Sequence, residues 1–124
     1  MTKFPLSSAL LTLIEESVPP GSTIATVSEG KPNWITDVTA SGVRIETEAS
    51  RRKGSGPQLV PGWMLQAGWD QLRKTGRLSQ TQLLNDLNIK RSAAVCAILA
   101  CLPNVSTAST RPVILAMEEP RRPV

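Results

Sequence analysis

The chain has 124 residues and contains no histidine and no tyrosine. The lack of histidine excludes a Ser-His-Asp or Cys-His arrangement, a histidine-ligated metal nuclease and histidine acid/base catalysis. Gly54-Ser55-Gly56 lacks the strand, the lysine and the helix start that surround a phosphate-binding loop. We therefore expect no cofactor, no metal and no small-molecule substrate, and a binding protein rather than an enzyme.

Cysteines and long apolar runs are also scarce. Cys96 and Cys101 both lie in the apolar run 93–102, and neither has a metal-ligand spacing, so both are predicted to be small core residues. No apolar run approaches the roughly 18 residues of a membrane helix. Residues 1–13 lack the basic start and the cleavage site of a secretory signal. These absences predict a soluble, cytoplasmic protein without a membrane partner.

Charge is present but unevenly distributed. Residues 1–50 carry three basic and six acidic side chains, whereas residues 51–92 carry eight basic and two acidic ones. The densest positive charge is Arg51-Arg52-Lys53, which precedes a run of glycine and proline and is expected to lie in an exposed, mobile loop. Such a region attracts a polyanion, because cations that neutralise phosphates release condensed counterions. An ordinary solvated charge run is the alternative interpretation.

The first half of the chain predicts a helix followed by a small antiparallel β-meander. Ser7 is a good N-cap for a helix over about 8–17, which Pro19-Pro20-Gly21 would end. Three β-prone runs then follow, separated by turn residues. They cover residues 23–27, 33–39 and 43–48.

The second half predicts three helices and a hairpin. A helix from about Pro61 to Thr75 is stopped by Gly76, and a short helix capped by Ser79 follows the single apolar residue Leu78. A third, strongly apolar helix begins at Lys90 or Arg91 and runs to Leu102. Two β-prone stretches, 105–107 and 112–117, flank the polar residues 108–111.

This element order is that of a winged helix-turn-helix domain. The expected fold is α+β, with three helices and a β-hairpin wing joined to an N-terminal helix and a small meander. We expect one compact domain over residues 1–117, with the helix and meander in 1–50 and the winged helix in 61–117. Residues 118–124 are expected to form a flexible tail or a linker.

The start of the third helix carries the main candidate contacts to DNA. The second helix of a helix-turn-helix enters the major groove with its N-terminus leading, which by analogy places Lys90, Arg91 and Ser92 at the DNA. Arg91 suits a base contact because its guanidinium can bind guanine O6 and N7 together, whereas Lys90 acts more as a point charge on phosphate. Farther along, only apolar contacts remain, for instance to a methyl group of thymine or of a modified base. Alternatively, Lys90 and Arg91 begin a core helix in solvent and Ser92 caps it.

Further basic residues extend the candidate set. Arg111, at the tip of the expected wing, suits the minor groove or a phosphate. Arg51, Arg52 and Lys53 could contact a neighbouring stretch of backbone, and Arg77 belongs to the same basic part of the chain.

Four segments together resemble the N-terminal DNA-recognition regions of bacterial restriction endonucleases, over roughly residues 20–105. They are Val43–Glu48, the basic glycine loop, Val60–Met64 and Ile89–Leu99. Those enzymes, including modification-dependent ones, commonly pair a reading domain with a separate nuclease domain. The resemblance implies recognition of double-stranded DNA, by sequence or by modified base, in a restriction or phage-defence system. A C-terminal nuclease domain or a partner protein would then perform the cleavage.

Two other functions remain open at this point. A winged helix can serve protein–protein interaction instead of DNA binding. A carboxylate-metal nuclease could use Asp37, Glu46 and Glu48, but the expected lysine beside the second acid is missing, and Glu46 and Glu48 fall on a regularly alternating strand. The tryptophans are expected to anchor the core rather than to stack on bases.

Overall fold

A computed structural model describes residues 5–89 and 91–117. The fold is α+β, as the sequence predicts, and contains helices and two antiparallel sheets. In chain order the elements are α1 (Ser8–Ser17), β1 (Thr23–Ala25), β2 (Pro32–Thr39), β3 (Gly42–Thr47), α2 (Glu48–Lys53), β4 (Gln58–Pro61), α3 (Gly62–Thr75), β5 (Arg77–Ser79), α4 (Gln80–Asn85), α5 (Ser92–Leu99), β6 (Val105–Thr110) and β7 (Val113–Met117).

The first sheet is an antiparallel meander in the order β1-β2-β3-β4. Val43 lies opposite Val38 on β2 and Val60 on β4, so these three buried side chains share the core-facing side. The helix α1 packs on β2, and the Ser7 hydroxyl caps α1 by accepting a hydrogen bond from the Leu10 amide at 3.3 Å. The prediction of α1 and of three meander strands is confirmed, and β4 adds a fourth strand at the edge.

The second sheet has the order β5-β7-β6, so β7, the last strand within the described residues, lies between the other two. Leu78, predicted as a lone apolar residue, lies in β5 opposite Leu115 on β7, and both are fully buried. The predicted stop and cap are both confirmed: Gly76 adopts a left-handed φ of 79°, and the Ser79 hydroxyl accepts a hydrogen bond from the Gln82 amide at 3.0 Å.

The helix α5 is the centre of the core. All five residues from Val95 to Leu99 are at most 1% exposed, and α5 contacts α3, α4 and also β1 of the first sheet. A helix that is apolar all round must be surrounded by other elements. Buried side chains of both sheets accordingly form one contiguous cluster.

Four local predictions are corrected. Residues 51–53 lie on the short helix α2 and not in a loop. The last helix ends at Leu99 instead of Leu102, and the hairpin strand β6 extends to Thr110, which shortens the turn to Arg111-Pro112. Cys96 is a core residue as expected, and burial raises its pKa to about 12, but Cys101 is exposed.

Gly42 is the position where the meander depends most on glycine. Its φ is 143°, and a Cβ there would overlap the Val60 carbonyl oxygen and lie 2.8 Å from the Gly62 nitrogen. We expect Gly42→Ala to lower the free energy of unfolding by roughly 3 kcal/mol or more, because strain and a backbone clash combine. Gly30→Ala is the control, since φ is 68° there but a Cβ would meet no atom within 4 Å.

Urea unfolding of the two variants measures the difference. Gly30→Ala should cost only about 1–2 kcal/mol, the penalty of a left-handed backbone for an L-residue. Equal losses in both variants would contradict the close approach of β3 to the β4–α3 junction.

Candidate nucleic-acid interface

Arg91 lies immediately before α5 and is exposed. Its guanidinium Nη1 donates a hydrogen bond to Oε1 of Gln58, the first residue of β4, at 3.1 Å. Arg91 therefore links the start of α5 to the edge strand of the first sheet. Lys90, its predicted neighbour at the DNA, lies outside the described residues.

Ser92 does not face a ligand, and its assignment as a DNA contact is corrected. The residue is 3% exposed, and its hydroxyl accepts a hydrogen bond from Nε2 of Gln80 at 3.1 Å. Gln80 is the first residue of α4, so the bond joins the starts of two consecutive helices. Ser92 thus has a structural role between α4 and α5.

The helix α2 forms because its sequence provides both caps. The Thr47 amide donates to the Ser50 hydroxyl at 2.8 Å and the Ser50 amide donates to the Thr47 hydroxyl at 3.1 Å, which is a reciprocal capping box. Gly54 ends the helix in the left-handed conformation. Arg51, Arg52 and Lys53 occupy the last turn, where positive charge interacts favourably with the helix dipole.

Arg51 is already engaged within the protein. Its guanidinium carbon lies 3.6 Å from the centroid of the Trp34 ring, and its Nη2 lies 3.8 Å from Oε1 of Glu46. Trp34 and Glu46 face each other across β2 and β3 on the side opposite the core. Trp34 is therefore a platform for Arg51, whereas Trp63 and Trp69 pack with the core as expected.

The structure gives the predicted cations different surroundings. Gln58, the partner of Arg91, follows Lys53 by five residues in the chain, so the hydrogen bond from Arg91 reaches β4, the strand that follows α2. Arg111 is exposed at the hairpin tip. Arg77 lies opposite Ala116, roughly 10 Å along β7 from its first residue, and hence away from the tip.

The long face of α5 is not accessible to DNA. Between Ser92 and Leu99 only Ala93 is exposed and Ala94 half-buried, and neither can donate a hydrogen bond from its side chain. The contact with β1 accounts for part of this burial. Only the N-terminal end of α5 can therefore approach a ligand.

The acidic residues considered for a metal nuclease have other surroundings. Asp37 lies opposite Arg44 on the outer side of the sheet, Glu46 pairs with Arg51, and Glu48 begins α2. Within residues 5–89 and 91–117, no group of three or more cysteine, aspartate or glutamate residues could hold a metal ion.

Two polar residues were missed by the sequence analysis. Gln58 lies in the unpredicted strand β4, and nothing in the sequence marks it as the partner of Arg91. Asn33 is 4% exposed on the core-facing side of β2. The two-residue period of a strand could have identified Asn33, because it precedes the inward Ile35 by two positions.

Comparison of the chain with protein-family models, curated proteins and solved structures finds no match. In the part of the chain that the structure describes, no helix is long and apolar enough to cross a membrane. Any functional conclusion must therefore come from the residues of this chain.

The contacts of Arg51 predict that it contributes to stability. Arg51→Ala removes the stacking on Trp34 and the ion pair to Glu46, and we expect it to lower the free energy of unfolding by about 1 kcal/mol, because both interactions are partly exposed. Arg52→Ala, one residue along the same helix turn, should change it by less than about 0.5 kcal/mol.

Thermal unfolding followed by circular dichroism distinguishes the two variants. Arg51→Ala should melt a few degrees lower than Arg52→Ala. If both variants melted at the temperature of the native protein, the stacking of Arg51 on Trp34 would make no measurable contribution to the free energy of unfolding.

Proposed function

We propose that this protein is a winged-helix DNA-recognition module that binds double-stranded DNA. The segment from α3 to β7 supports the winged-helix assignment. Its element order is helix, strand, helix, helix and hairpin, and the strand order β5-β7-β6 places the hairpin beside the strand that follows the first helix. In this scheme α4 and α5 are the helix-turn-helix pair and Arg111 is at the tip of the wing.

The observation that carries the DNA proposal is the hydrogen bond from Arg91 to Gln58. It brings the start of α5 to the segment that follows the basic turn of α2. Arg52, Lys53 and Arg91 are all exposed, and we call these three residues the basic edge. Of the two acids nearby in the chain, Glu46 is paired with Arg51, and the exposed Glu48 begins α2 four residues before Arg52. Exposed cations on one edge can neutralise several phosphates of one DNA segment.

The burial of α5 limits which part of this helix could contact DNA. Because β1 and the other helices cover most of α5, the helix cannot lie along the major groove, and only its N-terminal end can approach the bases. Arg91 is the residue that we assign to base contact, through two hydrogen bonds to guanine. Arg52 and Lys53 would contact phosphates, and Arg111 would contact a second stretch of backbone.

The proposed role in the cell is target recognition without catalysis. A module that contacts DNA mainly through one arginine and several phosphates can distinguish few DNA sequences, because phosphate contacts do not depend on the base. Together with the resemblance to restriction endonuclease reading domains, this favours a cytoplasmic restriction or phage-defence system. In such a system a nuclease domain or partner protein would cleave the DNA.

Substitution of Arg91 tests this proposal directly. We expect Arg91→Ala to weaken binding to its preferred duplexes in a mixed pool by about 1–3 kcal/mol and to relax discrimination between duplexes, with little change in the dependence of log K on log salt, because Arg91 is assigned to a base and not to a phosphate. Arg91→Lys should keep the salt dependence but lose discrimination between duplexes, because a lysine cannot bind guanine with two parallel hydrogen bonds.

Fluorescence anisotropy over a series of salt concentrations measures both quantities. Arg73→Ala serves as the control, since Arg73 is exposed in the last turn of α3 and is not part of the basic edge. The proposal fails if the native protein binds no duplex at low salt, or if Arg73→Ala weakens binding as much as Arg91→Ala. In the first case, co-purification of a protein partner would favour the protein-interaction alternative.

A further inference from the structure

A cavity of about 160 Å³ lies beside the basic edge, between α2 and the turn that joins β1 to β2. It is lined by Thr26, Lys31, Pro32, Asn33, Thr47, Glu48, Ala49 and Arg52. Pockets for whole cofactors and drug-sized ligands measure about 300–1,000 Å³. The cavity therefore has room for one small ring system but not for a complete nucleotide.

Asn33 is the unusual residue of this cavity. It is 4% exposed, and within the described part of the chain its side-chain amide makes no hydrogen bond. Side-chain amides of residues this little exposed are almost always hydrogen-bonded, within the protein or to water. Among the described residues, every side-chain nitrogen or oxygen without a hydrogen-bond partner is accessible to solvent. The amide of Asn33 is therefore accessible too, at the cavity that Asn33 lines. The amide thus offers a donor and an acceptor to a ligand.

The walls of the cavity add complementary chemistry. Glu48 can only accept hydrogen bonds when ionised, which favours a ligand that carries an amino group. Pro32 and the planar guanidinium of Arg52 offer flat surfaces against which a ring can stack. Lys31 is paired with Glu29 at 3.2 Å, whereas Arg52 forms no ion pair within the described residues. Arg52 therefore remains available to a phosphate beside the ring.

We propose that this cavity, with the Asn33 amide at its wall, binds a single amino-bearing nucleobase, adenine or cytosine, turned out of a DNA strand. The proposal rests on the DNA binding proposed above, because Arg52 belongs to both the cavity and the basic edge. An asparagine amide pairs with two adjacent groups of a base edge, and a carboxylate accepts from the exocyclic amine of cytosine. A base that leaves the stack loses its pairing and stacking, and this loss is smallest at a mismatch.

The first arm of the test uses free nucleosides. The native protein, labelled with ¹⁵N, is titrated with deoxyadenosine, deoxycytidine, thymidine or inorganic phosphate at millimolar concentrations. We expect the side-chain amide signals of Asn33 to shift with the first two nucleosides and to shift much less with thymidine or phosphate. This arm needs no variant, so it remains decisive even if a substitution disturbs folding.

The second arm compares a duplex that contains one A·C mismatch with the matched duplex of the same sequence. We expect the native protein to bind the mismatched duplex about tenfold more tightly, and Asn33→Leu to bind both equally with an unchanged salt dependence. Asn33→Leu keeps a side chain of similar size and breaks no hydrogen bond among the described residues, so its melting temperature should be nearly unchanged. Asn85→Leu, the same exchange at an exposed position of α4, should keep the mismatch preference.

The outcomes separate the two proposals. Matched-duplex binding without any mismatch preference and without a shift of the Asn33 amide would overturn the base cavity and leave DNA binding in place. A shift with nucleosides but no duplex binding would overturn DNA binding and identify free nucleosides as the ligand. A shift with phosphate alone would show an anion site and would also overturn the base cavity.

Discussion

The burial of α5 beyond its first turn constrains the rest of the molecule. The five consecutive residues Val95–Leu99 are almost inaccessible to solvent, and they contact elements from both halves of the chain. The packing against α3 is close at Gly68, where a Cβ would lie 2.9 Å from Leu99 Cδ1. On the other side β1 contacts the helix, so the meander is part of the same core. A ligand can therefore contact α5 only at its N-terminal end and not along its face.

The three basic residues of α2 carry the same charge but make different contacts. Arg51 turns back over Trp34 and Glu46 and contributes to the outer surface of the meander. Arg52 lines the cavity that contains the unpaired Asn33 amide, and Lys53 is exposed at the helix end. The charge of the segment can be read from composition, but the division of roles depends on which strand residues lie beneath each side chain. A mobile basic loop would allow no such division.

Local signals in the sequence were sufficient for elements whose caps and stops are adjacent residues. Ser7, Gly76 and Ser79 act within their own turns, and the sequence predicted all three. The strand β5 was missed because three residues form a strand only by pairing with β7, more than thirty residues later. Helix α2 was missed because a run of basic residues next to glycine indicates a loop. The capping box of Thr47 and Ser50 stabilises a helix there instead.

The candidate site was harder to predict than the fold. Arg91 was identified from its position at a helix start, and the structure shows it exposed. Ser92, next to it, was misassigned because its partner Gln80 lies on another helix, and sequence alone does not reveal that contact. The two-residue period of β2 predicts that Asn33 is buried. Whether its amide has a hydrogen-bond partner depends on which residues surround it in the fold.

The most direct test of the central claim is to map the surface of the labelled protein that a bound duplex protects. Backbone amide shifts and hydrogen exchange should change at Arg52, Lys53, Arg91 and Ala93, and should remain unchanged along Val95–Leu99 and at Arg77. That pattern would place DNA on the basic edge and on the N-terminal end of α5. Changes centred on Arg77 and the last turn of α3, with none at Arg91 or α2, would contradict the account.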